Sequence, residues 1–176
     1  MTLGFNWIDF TPDNIDFESV RPVRATESAS GWDLRACLQE DRLVIPPSST
    51  AIVPCGVGII MDKTTLVKAT EYGPAQLSFM AEAQVRSRSG LAAKHNVHIL
   101  NSPGTVDNDY RGELKCILRN VDGVRHFEIH HGDRIGQLVI NLLPILDDPM
   151  EVIAQEELDT YKTSRGSRGF GSTGVS

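Results

Sequence analysis

Apolar residues along this chain recur in short runs, often with a spacing of two, and Gly, Pro, Asn or Asp interrupts them every few positions. RLVIPPSSTAIVPCGVGIIM (42 to 61), ELKCILRNV (113 to 121) and HFEIHHGDRIGQLVINLLPIL (126 to 146) read as strands joined by turns. In the second of these, Leu114, Cys116 and Leu118 alternate with Glu113, Lys115 and Ile117, as in a half-buried strand. Helical periodicity is scarce. SGLAAKHN (89 to 96) is the one helical candidate, with Ser89 placed as N-cap and Ala92, Ala93 and Lys94 as helix formers. Many short strands with one short helix predict an all-β sandwich or barrel. Two segments fit the pattern less well. Residues 1 to 24 set Phe5, Trp7, Phe10 and Phe17 between acidic residues, as an arm that either wraps a neighbouring surface or is loosely held. Residues 62 to 84 alternate poorly and read as a hairpin or as a short helix followed by a loop.

Composition narrows the class. The 176 residues suit one domain with its own core, and 40% hydrophobic with 23% charged residues is globular usage. No apolar run reaches the roughly 18 to 20 residues of a membrane span, so no membrane association is expected. The acidic start lacks the features of a secretory signal or transit peptide, and cytoplasm is the expected location. Cys37, Cys55 and Cys116 are widely spaced and odd in number, which predicts reduced, buried thiols rather than a disulfide framework or a zinc site. A net charge of −6 argues against general nucleic-acid binding. A phosphate ligand would therefore meet a local basic cluster, either Arg86 with Arg88 or Arg165 with Arg168.

Candidate chemistry is sparse when each piece is taken alone. His130, His131 and Asp133, or His95 and His98, lack the spacing of a known metal motif, and neither a P-loop nor G-x-S-x-G occurs. GFGSTG (169 to 174) has the glycine spacing of a dinucleotide site, but only Val175 and Ser176 follow it, too few for the helix that such a site requires. RSRSGLAAKH (86 to 95) offers a cation, a hydroxyl and free N–H groups to a phosphate, as an ordinary surface helix also would. In NSPGTVDNDYRGEL (101 to 114), Asp107 could take a proton from water and Tyr110 could offer a flat face to a sugar or base, within what otherwise reads as a turn entering a sheet.

Taken in order, ASGWDLRA (29 to 36), RSRSGLA (86 to 92), GTVDNDYRGEL (104 to 114), GDRIGQLVI (132 to 140) and RGSRGFGSTG (165 to 174) resemble the five motifs of the trimeric dUTPase family. The resemblance implies a jelly-roll-like (β-clip) subunit in a homotrimer whose active sites are shared between chains. It implies hydrolysis of dUTP to dUMP and pyrophosphate with Mg²⁺. Asp107 is then the general base for water attacking the α-phosphorus, and Tyr110 packs on the deoxyribose. Asn101, Gly104, Thr105 and Val106 read the uracil edge, and Lys115 lines that pocket. Arg88, Ser89, Gly90 and Gln137 become phosphate contacts. No residue ligates the metal directly, and Asp33 acts through metal-bound water. Residues 165 to 176 become a mobile lid, in which Arg165 meets the γ-phosphate, Phe170 stacks on uracil, and Gly171 and Ser172 complete the contacts. The domain then runs from 1 to 164, including the arm to about residue 20.

Ser87, Gly136 and Arg168 depart from the family's usual proline, alanine and small or acidic residue. The segment between Gly58 and Arg88 is longer than usual, so residues 62 to 84 are expected to hold an insertion and a possible protein-partner surface. Such additions suggest a phage or viral chain, which would act in the host cytoplasm. Two alternatives stay open. One is a nucleotide-switched regulatory binding protein on the same scaffold. The other is a dCTP deaminase relative, against which Asp107, Tyr110 and Phe170 speak.

Overall fold

The computed structural model describes residues 4–61, 64–70 and 73–145, all of them within one compact unit, Met1–Ile145. The expected lid, with Arg165, Phe170, Gly171 and Ser172, lies outside the described residues. Among the described residues are twelve strands and one α-helix. In chain order they are β1 (Phe5–Asp9), β2 (Trp32–Arg35), β3 (Arg42–Ile45), β4 (Thr50–Pro54), β5 (Val57–Met61), β6 (Thr64–Thr70) and β7 (Gly73–Arg86). The helix α1 (Ser89–His95) follows, then β8 (Val97–Ile99), β9 (Gly104–Val106), β10 (Lys115–Asn120), β11 (Phe127–His130) and β12 (Arg134–Pro144). No described helix is long and apolar enough to cross a membrane.

The strands form four small antiparallel sheets: β1–β5, β4–β10–β8, β11–β3, and β2–β12–β7–β6 with β9 also on β7. Their inward faces share one apolar core. In β10 the alternation read from sequence holds: Cys116, Leu118 and Asn120 are buried while Lys115 is exposed. Burying a Leu or Ile side chain fully contributes about 1.5–3 kcal/mol, and Leu34, Ile45, Ile99, Leu118 and Leu138 are all in that state. Asn120 is the polar exception. Its Nδ2 donates to the carbonyls of Ile45, Pro46 and Arg125 at 3.2, 3.2 and 2.8 Å, and its Oδ1 accepts from the N–H of Asp122 at 3.0 Å. One amide thus ties the end of β3 to the turn after β10.

The N-terminal aromatics wrap a surface of their own chain. β1 pairs with β5 from Phe5 opposite Met61 to Asp9 opposite Val57. Phe5, Trp7 and Trp32 meet edge to face at 5.0–6.2 Å, and Arg24 stacks 4.2 Å over Trp32. The weakly alternating stretch after β5 is a hairpin: β6 pairs with β7 from Thr64 opposite Phe79 to Thr70 opposite Gly73. The β12 ladder accompanies β7 as far as Phe79, and just past it the N–H of Ile145 donates to the carbonyl of Ser78 at 2.8 Å. The remainder of that hairpin is a two-stranded arm among the described residues.

The helix lies where the sequence placed it, but its cap differs. Arg88 occupies the N-cap position without a capping side-chain bond, and Ser89 is the first helical residue. The Ser87 hydroxyl accepts instead from the N–H of Ile99 at 2.9 Å, and the N–H of Ser87 donates to the Ser102 hydroxyl at 3.2 Å. The chain between β7 and α1 is therefore held to the turn that precedes β9.

Candidate active site

Two groups of the expected residues emerge, on different parts of the chain. The first surrounds a cleft of about 240 Å³ lined by Asn101, Gly104, Thr105, Val106, Asp107, Tyr110 and Lys115, together with Ile52, Val85, Glu113, Leu114 and Ile117. β9 forms its rim because Val106 pairs with Ala83 and Gly104 with Val85. Gly104 passes close to the Asn101 amide: a Cβ there would lie 2.9 Å from Nδ2, the movable end of that side chain. After Val106 the chain turns, and the N–H of Tyr110 donates to the carbonyl of Asp107 at 3.1 Å. Tyr110 Oη donates to the carbonyl of Glu113 at 2.9 Å, which fixes the ring across Gly112. Glu113 Oε1 accepts from the N–H of Gly56 at 2.8 Å, and its Oε2 lies 3.7 Å from Lys115 Nζ. The exposed carboxylate of Asp107 has no hydrogen bond or ion pair to any described residue. It is free to receive a water.

The second group lies where β2, β12 and the end of β7 run side by side. Gln137 on β12 stands opposite Asp33 on one side and Arg86 on the other. Asp33 is buried, and both its oxygens are engaged: Arg88 Nε approaches Oδ1 at 3.1 Å and Arg134 Nη1 approaches Oδ2 at 3.4 Å. Arg88 Nη1 also donates to the carbonyl of Arg134 at 3.0 Å. One charge-assisted bond to a buried carboxylate and one to a backbone carbonyl thus orient the Arg88 guanidinium. Arg86, the other cation read from the sequence, donates from Nε and Nη2 to Gln84 Oε1 at 3.2 and 2.7 Å. At Gly90, open space lies where a Cβ would be.

None of Asp33, Arg88, Ser89, Gly90 and Gln137 lines the cleft. The cleft is also smaller than the roughly 300–1,000 Å³ usual for a complete ligand site. It suits one part of a ligand. A larger cleft of about 580 Å³, bounded by Phe10, Pro12, Leu38, Arg42, Leu43 and Pro54, contains no residue assigned a site role from sequence.

The remaining candidates have structural tasks. His131 Nδ1 accepts from the N–H of Leu38 at 3.2 Å and its Nε2 meets the Ser19 hydroxyl at 2.8 Å. Asp133 Oδ2 accepts from the N–H of His130 at 2.8 Å. All three cysteines are free and buried. Cys55 and Cys116 lie Sγ to Sγ at 3.8 Å, and this hydrogen bond, with burial, pushes the Cys55 thiol well above its ordinary value. Burial also raises the Cys37 thiol, assisted by the Glu113 and Asp9 carboxylates. Such thiols are poor nucleophiles. The glycine at position 136 also has a structural reason: a Cβ there would lie 2.9 Å from Cys116 Sγ and 3.2 Å from Ile99 Cδ1.

Sequence reasoning missed Arg134, which shares Asp33 with Arg88, and Asn108, whose amide reaches the carbonyls of Met61 and Ala81. It also missed the apolar wall of Ile52, Val85 and Ile117. Position 134 stands two residues before Gly136 inside a stretch already singled out, so its charge was the available signal; Ile52 comes from a distant strand and carried none.

Known proteins resemble this chain over most of its length. The dUTPase family model matches residues 18–174. A deoxyuridine 5'-triphosphate nucleotidohydrolase of Helicobacter pylori strain J99 is 45% identical over 155 residues, covering 88% of this chain and 89% of the relative. One from Orientia tsutsugamushi strain Ikeda is 41% identical over 155 residues, covering 88% of each. Among solved structures, the Streptococcus mutans dUTPase aligns with a TM-score of 0.59 at 23% identity over 82% of this chain and 99% of its own. The Staphylococcus bacteriophage 80alpha dUTPase with dUPNHPP aligns at 0.70 and 20% over 98% and 99%. These likenesses assign the fold to the jelly-roll type.

Proposed function

The chain belongs to the dUTPase family, and from that premise we infer that it is a dUTP diphosphatase, an enzyme of nucleotide metabolism that converts dUTP to dUMP and pyrophosphate. The observation that carries the detailed reading is the cleft holding Asn101, Gly104, Asp107 and Tyr110 together. Backbone groups of β9 and the Asn101 amide meet the uracil edge, while Tyr110 covers the sugar. Asp107 takes a proton from water as that water's oxygen bonds to the α-phosphorus; the bond from this phosphorus to the α–β bridging oxygen breaks, and pyrophosphate leaves. A well-placed general base of this kind contributes about 10²–10⁴ in rate. Arg88, Ser89, Gly90 and Gln137 hold the phosphates.

Their separation from the cleft within one chain supports a homotrimer in which Asp107 and Arg88 of different chains meet, with residues 165–176 as the lid. Mg²⁺ fits this donor set. Each oxygen of Asp33 receives one arginine N–H and retains a lone pair for a water carried by the ion, and Mg²⁺ is commonly held by phosphates and waters rather than by a protein cage. When bound, the ion neutralises triphosphate charge.

The test is pyrophosphate release from dUTP, dCTP, dTTP and UTP with Mg²⁺, alongside Asp107→Asn. Turnover of dUTP alone, lost by about 10²–10⁴ in the variant, is expected. Ammonia release from dCTP would instead favour a deaminase. The arm of β6 and β7 beyond Ser78, where β6 and β7 pair with each other and the ladder of β12 has ended, favours a second role for residues 62–84 as a partner surface, since unaccompanied strand edges readily accept another chain. Proteins like the aligned phage enzymes are described as controlling transfer of virulence genes by a G protein-like mechanism. Tight dUTP binding without hydrolysis would make this second role the principal one.

A further inference from the structure

We propose that Asn108 is the positioning residue for Asp107. The inference rests on the assignment of Asp107 as general base. Asn108 Nδ2 donates to the carbonyl of Met61 at 3.1 Å and to the carbonyl of Ala81 at 3.1 Å. Both neighbours are carbonyl oxygens, which only accept, so the amide nitrogen must face them and both its hydrogens are used. Met61 ends β5 and Ala81 lies in β7; both residues are buried.

The location gives these bonds their effect. β9 leaves the ladder after Val106, which pairs with Ala83. Two residues further along each segment, the Asn108 side chain reaches the Ala81 carbonyl and continues the attachment where the backbone has turned away. Asp107 thus sits between one residue fixed by the ladder and another fixed by a double hydrogen bond. Arg111 Nη1 braces the same turn by donating to the carbonyls of Asn108 and Tyr110 at 2.7 and 2.9 Å. The Asp107 carbonyl accepts from the N–H of Tyr110 while its carboxylate is left unbound among the described residues, and its origin is held on both sides. A base held in this way needs little rearrangement to reach its water, and a displacement of about 1 Å in such a group can cost about a hundredfold in rate. Met61 and Ala81 also bracket the β6–β7 hairpin, so Asn108 fastens the catalytic turn to both feet of that arm.

The experiment uses the full-length protein with Mg²⁺ and dUTP. Initial rates are measured for wild type, Asn108→Ala, Asp107→Asn and the double variant, each below its own thermal midpoint. Asn108→Ser, whose hydroxyl retains one donor, is the second variant should Asn108→Ala not fold. For the substitution at 108, kcat is expected to fall by about tenfold to a hundredfold with KM nearly unchanged. In the Asp107→Asn background the same substitution should cost almost nothing, because the group it positions is gone. A merely structural residue would cost the same in both backgrounds. Equal losses in the two backgrounds would overturn the inference, as would an unchanged kcat at 108 beside a slow Asp107→Asn protein. If Asp107→Asn were as fast as wild type, the base assignment itself would fall, and the inference with it.

Discussion

Suppose that Asp107→Asn and Arg88→Gln chains, each inactive alone, are unfolded together in urea at equal concentration and refolded as a mixture. The cleft holds Asp107 and no arginine, whereas Arg88 is tied to Asp33 and to the Arg134 carbonyl. In a closed ring of three chains, each site would take Asp107 from one chain and Arg88 from a neighbour. With random assortment, both donors are intact in about one half times one half of the sites, so the mixture should recover about a quarter of wild-type activity. Either parent alone should remain about 10²–10⁴ below wild type, which leaves the recovery far above background. Glutamine is chosen at 88 because its amide can still donate to the buried Asp33 carboxylate, whereas alanine would leave that oxygen unpaired. Native mass spectrometry counts the mixed trimers, and pyrophosphate release gives the rate. If mixed trimers were abundant and the mixture ran no faster than the mean of its parents, Asp107 and Arg88 would have to act within one chain, and the shared-site reasoning would be wrong.

Other expectations follow from the packing and the charges. Asn120→Ala strands the buried carbonyl of Ile45 and removes the donor to the partly buried carbonyl of Arg125, and should lower the free energy of unfolding by about 3 kcal/mol in urea titrations; a loss below about 1 kcal/mol would contradict its placement. The N–H groups of Arg125 and Val124, followed by the Arg125 side chain, hold the Asp122 carboxyl below its ordinary value of 3.8. Its stabilisation is therefore full above that value and is lost as pH falls through the folded value, so Asp122→Asn should flatten the fall in melting midpoint below about pH 4. In a thiol-reagent assay at neutral pH the native protein should label slowly, and all three cysteines should react once it is denatured. Gly136→Ala should lower the melting midpoint, since its methyl meets Cys116 and Ile99, and Cys116→Ala should relieve part of the loss.

The legible parts of this fold are those where side-chain type and period agree. β10 could be read because leucine and cysteine alternate with charged residues, and α1 because alanines cluster after a serine. β7 was obscured by its composition: its inward positions Ala81 and Ala83 are buried, yet alanine neither favours strands nor contrasts strongly with the residues around it. The Ser89 cap failed because the helix begins one residue earlier than that reading requires, with Arg88 at the N-cap position and Ser89 already helical. The site was readable where one turn supplies several groups, from Asn101 to Tyr110. It was unreadable where a side chain meets a backbone carbonyl, as Asn108 does, because every residue presents the same acceptor. Ile52 reaches the cleft through its register opposite Ile117, a pairing that only tertiary structure defines.

The fastening of the hairpin at its feet makes the arm a growth point for the lineage. Residues added between the paired Thr70 and Gly73 would lengthen both legs together and preserve the faces already set below. An odd insertion within one leg would reverse the side chains of the arm beyond it, but Met61 and Ala81 would still be held by Asn108. Sequence can thus be gained or shed at the tip while the turn carrying Asp107 keeps its place, so the arm can diverge at a pace that the turn beneath it cannot follow.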